Sequence, residues 1–429
     1  MERAAGTNGW RFAALADAGT GQVDRVCLDP RDPAFVQDVY AAYRRAHRES
    51  PAFFWDDYGH WCFAGYDAVD RLLRDRRFGR QILHVATRQE LGWPERPTHL
   101  AAFDAVERHS LLELEPPAHT RLRRLITKAF VARQVERLRP AINALCHRLI
   151  DGFAADGEVE LLSAYATPIP LETICTLLGV DRAAGPQLLA WSHAIVKMYV
   201  LDPPMSEQVA ANEAARDFAA FLRGQIAAKR DVPADDLLSA LIAAEDGGTT
   251  LSEDELISTV VLLLNAGHEA TVHQIGNAMA SILGSGLEPT ALFDDAEATA
   301  ATAEECLRHD APLHMFTRYA LEDIDLSVEG QIIALKKGDR IGLLLGAANR
   351  DPRRFEAPDA FRPGRTDQAN VTFGAGIHFC IGAPLARIEL QEALSVLFER
   401  LPDIRFARPP RYGDTYHFHG LESAPMRWD

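Results

Sequence analysis

The spacing of apolar positions divides the chain into a short β-rich beginning, a long helical middle and a second β-rich stretch before a last helix. Residues 1–35 hold no sustained period and are expected to form an irregular lead-in. Positions 35–47 have helical spacing, and FFWDDYGHWCFAGY (53–66) predicts a hairpin turning at Asp57–Gly59. Residues 80–118 form a long, turn-rich connection ending in Glu115-Pro116-Pro117, and a connection of that length is often functional. Helices are then predicted at 119–130, 132–154, 170–178, 184–200, 206–229, 235–244 and 252–284. Ser252 and Glu255 have capping-box spacing at the start of the last of these. The run that follows, LISTVVLLL (256–264), is apolar on most faces, so its helix is expected deep in the molecule. A helix at 296–309, alternating strands over 317–345, a Pro- and Arg-rich loop at 350–370, a helix at 384–400 and a strand-like tail complete the pattern. The fold class this predicts is mainly α with small β-sheets, as one domain over residues 1–429.

Charge narrows the functional classes more than composition does. Hydrophobic residues at 47% and charged residues at 25% are ordinary for a globular chain. The 45 basic and 61 acidic residues leave a net charge of −16, which argues against nucleic acid and anionic membrane surfaces as partners. The six cysteines, at 27, 62, 146, 175, 306 and 380, include no CxxC pair, so neither a structural zinc site nor a disulfide framework is expected. No signal peptide or membrane-spanning segment is expected, and the compartment expected is the reducing cytoplasm.

The segment richest in chemistry is FGAGIHFCIGAPLARIEL (373–390). Gly374, Gly376 and Gly382 permit backbone turns and close approach to a flat ligand. Cys380 stands just ahead of a helix with Pro384 in its first turn, where free N–H groups and the helix dipole favour a thiolate. Taken alone, a cysteine is more often a small buried hydrophobe. The complete pattern of Phe373, Gly374, Gly376, His378, Cys380 and Gly382 resembles the haem-binding loop of the cytochrome P450 family. That resemblance implies haem b (heme b, iron protoporphyrin IX) with Cys380 as its axial thiolate and metal ligand. It also sets His378 against a propionate.

The resemblance runs from about residue 40 to the C-terminus and is to soluble bacterial members. EPPAHTRLRRLITKAF (115–130) is similar to the family's haem-flanking helix, with His119 and Arg123 on one face. Without the cysteine loop the same residues read as a solvated basic face. Glu305 and Arg308 match the family's Glu-x-x-Arg pair, Arg318 matches a second propionate contact, and either Arg362 or Arg365 completes the pair's network. LLLNAGHEATVHQ (262–274) resembles the oxygen-binding groove, with Ala266 and Gly267 small and Glu269 acidic. Here the chain departs from the family pattern. Ala270 replaces the first threonine, and Thr271, which matches the second, lies about 100° further round the helix. Glu269, Thr271 and Cys380 are the candidate catalytic residues.

Other chemistries fit less well. His268 and His273 are five residues apart rather than the four a zinc-peptidase helix needs. Phe379 occupies a position where a dinucleotide loop needs glycine, and no orienting group follows for a Cys380–His378 hydrolase. The resemblance implies the family's triangular helix-rich prism, with haem between the long buried helix and the cysteine loop. It implies a monooxygenase that inserts one atom of dioxygen into a small or medium, largely apolar substrate. Electrons would come from NAD(P)H through a ferredoxin or flavodoxin-type donor and its reductase, docking near Arg123, Arg124 and Lys128. Pocket walls are expected from Trp93, Phe103, Ile195, Met198, Tyr199, Leu313 and Phe418, with His314, His417 and His419 as polar handles. A monomer is expected. A peroxide-using oxygenase and a non-catalytic haem sensor remain alternatives.

Overall fold

The computed structural model describes residues 11–17, 21–130, 135–199, 203–413 and 416–429. Its axis is the 32-residue helix Glu253–Gly284. The capping box that starts it is formed: the Glu255 amide donates to Ser252 Oγ at 3.2 Å, and the Ser252 amide donates to Glu255 Oε2 at 2.9 Å. Beyond that cap the helix is buried on several faces. It packs against Pro168–Leu178, Gly185–Val196, Ala296–His309 and Ala383–Arg400. Val260, Leu264, Ile275 and Met279 are almost wholly excluded from water. Each such side chain stabilises the fold by about 1.5–3 kcal/mol, so the position of this helix is strongly determined.

The helix at 296–309 forms as Ala296–His309 and the one at 384–400 as Ala383–Arg400. The helix expected at 132–154 is described as Arg139–Asp151, and residues 131–134 lie outside the described residues. The helix expected at 35–47 is two, Pro33–Gln37 and Val39–Glu49. Asp38 breaks it because its side chain caps the second helix, accepting from the Ala41 amide. The turn-rich 80–118 segment contains a further helix, Ala101–Glu107.

The lead-in is not irregular over its described part. Arg11–Asp17 and Gly21–Cys27 are paired strands. They extend a seven-stranded sheet whose spatial order continues Ala52–Trp55, His60–Phe63, Arg340–Leu344, Met315–Ala320 and Phe78–Gly79. Gly21–Cys27 is recruited by a non-local parallel pairing, Val26 opposite Trp55, which periodicity within the segment does not reveal. The sheet joins the two β-rich ends of the chain, because Arg340–Leu344 runs parallel to His60–Phe63. Among the described residues no helix is long and apolar enough to cross a membrane.

Candidate active site

The cysteine loop is shaped by two glycines. Gly374 and Gly376 have φ of 69° and 71°, the left-handed region that favours glycine. A Cβ on Gly376 would stand 2.6 Å from the Leu73 carbonyl oxygen, so the loop rests backbone to backbone on helix Tyr66–Arg74. Gly382 differs. Its φ is −79°, and a Cβ there would make only ordinary contact with Cys380 Sγ, at 3.8 Å, so neither backbone nor space requires glycine here. The Cys380 amide donates to the Phe373 carbonyl at 3.0 Å and closes the loop. Solvent reaches Cys380, yet the enclosing protein desolvates it enough to raise the thiol pKa. The N–H of Gly382, Arg123, the N–H of Ala383 and Arg387 all oppose that rise without reversing it. The helix start therefore eases ionisation of this thiol but does not achieve it alone, and a bound cation would complete it.

Beside the loop lies a set of buried cationic and imidazole groups with too few anions. His119 is 2% exposed and neither ring nitrogen has a hydrogen-bond partner. Burial, then His378, depress its pKa to about 4. Arg123 is half-buried and has no hydrogen-bond or ion-pair partner among the described residues; burial lowers its pKa. Arg318, 3% exposed, donates to the Thr317 carbonyl at 2.9 Å, and burial, then Arg80, pull its pKa down to about 9. Among the described residues it meets no carboxylate at ion-pair distance. His378 is partnered: its Nε2 lies 3.1 Å from Glu115 Oε1, which also accepts the Arg80 amide at 2.6 Å. Burial would raise the Glu115 pKa, but these bonds hold it below the usual range. Sequence reasoning missed Glu115 and Arg80; the Glu-Pro-Pro corner was the available signal.

On the long helix, Ala266 and Gly267 are open to solvent while Leu264, Asn265 and His268 are buried, and nothing lies within 4 Å of a Cβ built on Gly267. Glu269 faces three imidazoles: His193 Nε2 at 3.4 Å, His273 Nε2 at 3.7 Å and His268 Nδ1 at 3.9 Å. Burial raises its pKa, but the imidazoles outweigh burial and hold the carboxyl well below the usual range. Thr271 is buried, and its hydroxyl donates to the Gly267 carbonyl at 3.0 Å. The same hydroxyl meets Glu389, a fully buried carboxyl whose pKa burial pushes up to about 8. The Thr271 hydroxyl opposes that rise without reversing it. Glu389 was not foreseen: Ile388 and Leu390 flank it, but the same helix carries Arg387, Gln391 and Glu392, so no local signal marks a buried acid.

The Glu305–Arg308 pair lies away from this helix face. Arg308 Nε and Nη2 each donate to Glu305 at 2.8 Å, and Arg308 Nη1 reaches the carbonyls of Asn349 and Pro358 at 2.9 Å. Both arginines left open by the sequence take part. Arg365 Nε donates to Glu305 Oε2 at 3.0 Å, whereas Arg362 contributes its backbone amide to Oε1 at 2.7 Å.

Some expected pocket and surface groups are otherwise engaged. His314 and His419 are not polar handles: both are buried, His314 Nδ1 bonds the Tyr43 hydroxyl at 2.7 Å, and His419 Nε2 lies 3.2 Å from Asp310. Phe103 and Ile195 belong to the main core. Trp93 packs on Tyr319, and Leu313 bridges Phe418. Arg124 and Lys128 are exposed but share Asp246, at 3.4 and 2.6 Å, which weakens the positive patch.

Comparison with known proteins agrees with this architecture. The sequence model of the cytochrome P450 family matches residues 292–402. Cytochrome P450 107B1 of Saccharopolyspora erythraea is 37% identical over 92% of this chain and 96% of its own length. The 6-deoxyerythronolide B hydroxylase of the same organism is 32% identical over 94% of this chain and 98% of its own. The solved structure of the bacillaene polyketide synthase cytochrome P450 PksS from Bacillus subtilis superposes with a TM-score of 0.84 at 32% identity, covering 94% of this chain and all of that one. The chain belongs to the cytochrome P450 family, an oxidoreductase family of haem-thiolate monooxygenases, and its fold is the helix-rich prism of bacterial members.

Proposed function

We propose that this chain is one haem domain that hydroxylates or epoxidises a small or medium, largely apolar organic molecule, with Cys380 as the axial ligand. Electrons come from NAD(P)H through a separate ferredoxin or flavodoxin-type donor. The observation that carries the reading is the pairing of Cys380, at a helix start, with His119, Arg123 and Arg318, three groups with no carboxylate at ion-pair distance among the described residues. A haem brings a metal cation for the first and two carboxylates for the others, so the donor set fits it. His119 and Arg123 would hold one propionate and Arg318 the other. His378 stays on Glu115 and orients the loop. Phe373 and Gly374 set the loop's shape, and Ala266 and Gly267 keep the helix face low.

Bound haem supplies the activation of dioxygen, one atom going to substrate and one to water. The chain's own residues hold the protons. Glu389 keeps its proton at neutral pH beside Thr271, whose hydroxyl is bonded to the Gly267 carbonyl. Glu269 is a fixed negative charge there. Ala270 has no proton to supply, and a buried acid with a raised pKa beside this helix supports monooxygenation over a sensor role. The relatives' names add support for an organic substrate, since a polyketide synthase cytochrome P450 and a 6-deoxyerythronolide B hydroxylase are among them.

The test is the ferrous–carbon monoxide spectrum. Wild type should show the red-shifted Soret band of thiolate ligation, and Cys380→Ala should lose it; persistence of the band in the variant overturns the ligand. Turnover with redox protein and NAD(P)H, compared with turnover on peroxide alone, then separates the monooxygenase from the peroxide-using alternative.

A further inference from the structure

Among the described residues, two groups of side chains have histidine and carboxylate atoms close enough to hold a metal ion. In the first, Asp310, His314 and His419, the carboxylate and one imidazole are already engaged. Asp310 accepts from Tyr40 and Tyr412 at 2.8 and 2.6 Å, His314 is bonded to Tyr43, and all three residues are buried. The second group, His193, His268 and Glu269, has none of these restraints. Its ligand atoms all lie within 4.8 Å of one another.

We propose that His193, His268 and Glu269 form a distal site for one zinc-class divalent ion, separate from the haem. Zinc binds imidazole nitrogen and carboxylate oxygen at ~2.0–2.2 Å, which puts neighbouring ligand atoms of a tetrahedral centre ~3.3–3.5 Å apart. His193 Nε2 is 3.4 Å from Glu269 Oε2, already that edge length, and His268 Nδ1 is 3.9 Å from the same oxygen. The third edge, between the two imidazoles, is within 4.8 Å, so a shift on the order of an ångström closes the set. His268 is 3% exposed with neither nitrogen hydrogen-bonded, a buried imidazole with an unused lone pair beside a carboxylate. The other carboxylate oxygen faces His273 Nε2 at 3.7 Å, which orients Glu269. His193 has 49% of its side chain exposed and provides the entry path. Two neutral imidazoles and one carboxylate leave a fourth position for water and suit zinc, nickel or copper better than calcium or magnesium. The ligands come from two helices, Gly185–Val196 and Glu253–Gly284, so the ion clamps one to the other over Glu269. Loss of turnover on metal binding follows only if the proposed monooxygenase reading holds; the binding itself does not depend on it.

The experiment dialyses haem-replete protein against low micromolar zinc and measures zinc and iron by elemental analysis. Wild type should retain about one equivalent of zinc more than His193→Ala, and zinc should slow turnover of wild type reversibly, with EDTA restoring it, while sparing His193→Ala. His193 is exposed enough for that variant to fold, and circular dichroism checks it. His268→Asn should lose the same equivalent. Equal zinc content in wild type and both variants overturns the site, whatever the carbon monoxide spectrum shows.

Discussion

At the scale of single residues, the proposed chemistry turns on two glutamates in opposite protonation states. Glu269 is held ionised by imidazoles and Glu389 is held neutral by burial. Glu389 has a folded pKa of about 8, against ~4.3 for an unperturbed glutamate. The folded state therefore binds a proton that the unfolded state has released between these values. Stability on this account is fully present below pH ~4.3 and falls by roughly 1 kcal/mol per unit as pH rises to about 8. Glu389→Gln should remove that slope, so the variant gains on wild type in urea unfolding from pH 5 to 8; parallel curves would contradict the buried proton. The same change, or Thr271→Val, should lower product formed per NAD(P)H consumed, because general acid help is worth about 10²–10⁴-fold. Legibility at this scale followed local geometry. Cys380, Gly374 and Gly376 were readable because a left-handed backbone and a fixed spacing leave a residue signature. Glu389 was not read, because its function depends on Thr271, more than a hundred positions away.

Elements matter next, and here the clearest case is the joint between helix Ala296–His309 and the Pro- and Arg-rich loop at 350–370. Arg308 is 1% exposed and spends its donors on Glu305 and on the carbonyls of residues 349, 358 and 360. Removing Glu305 strands two buried guanidinium groups, those of Arg308 and Arg365, and breaking such a pair costs about 3–5 kcal/mol. Glu305→Ala should therefore give little soluble haem protein; a stable, haem-replete variant whose turnover alone drops would show that the pair serves chemistry instead. Helix positions were largely legible, because the 3.6 period and the Ser252 cap are local signals. The strands Arg11–Asp17 and Gly21–Cys27 were not, because what makes Gly21–Cys27 part of the sheet is Trp55 and its neighbours, not any pattern within the segment.

For the whole molecule, net charge and local charge point in different directions. The chain carries −16, yet the surface beyond the cysteine loop presents Arg124 and Lys128, both held by Asp246 in the hairpin of Glu245–Asp246 and Thr249–Thr250. Exposed pairs of this kind add little stability, so the aspartate can be removed without harm to the fold. Asp246→Asn should speed reduction by an acidic ferredoxin several-fold at low salt, an advantage that stopped-flow traces should show shrinking as ionic strength rises. The sheet has a consequence of another kind, for the chain during its synthesis. Trp61 and Phe63 pair with Ile341 and Leu343, so the His60–Phe63 strand emerges from the ribosome long before its neighbour exists. At ~5–20 residues per second the wait is roughly ten seconds to a minute. Throughout it an apolar strand edge stands open to any passing chain, which makes crowding and growth temperature, more than the finished fold's stability, the factors that set how much of this protein a cell can accumulate.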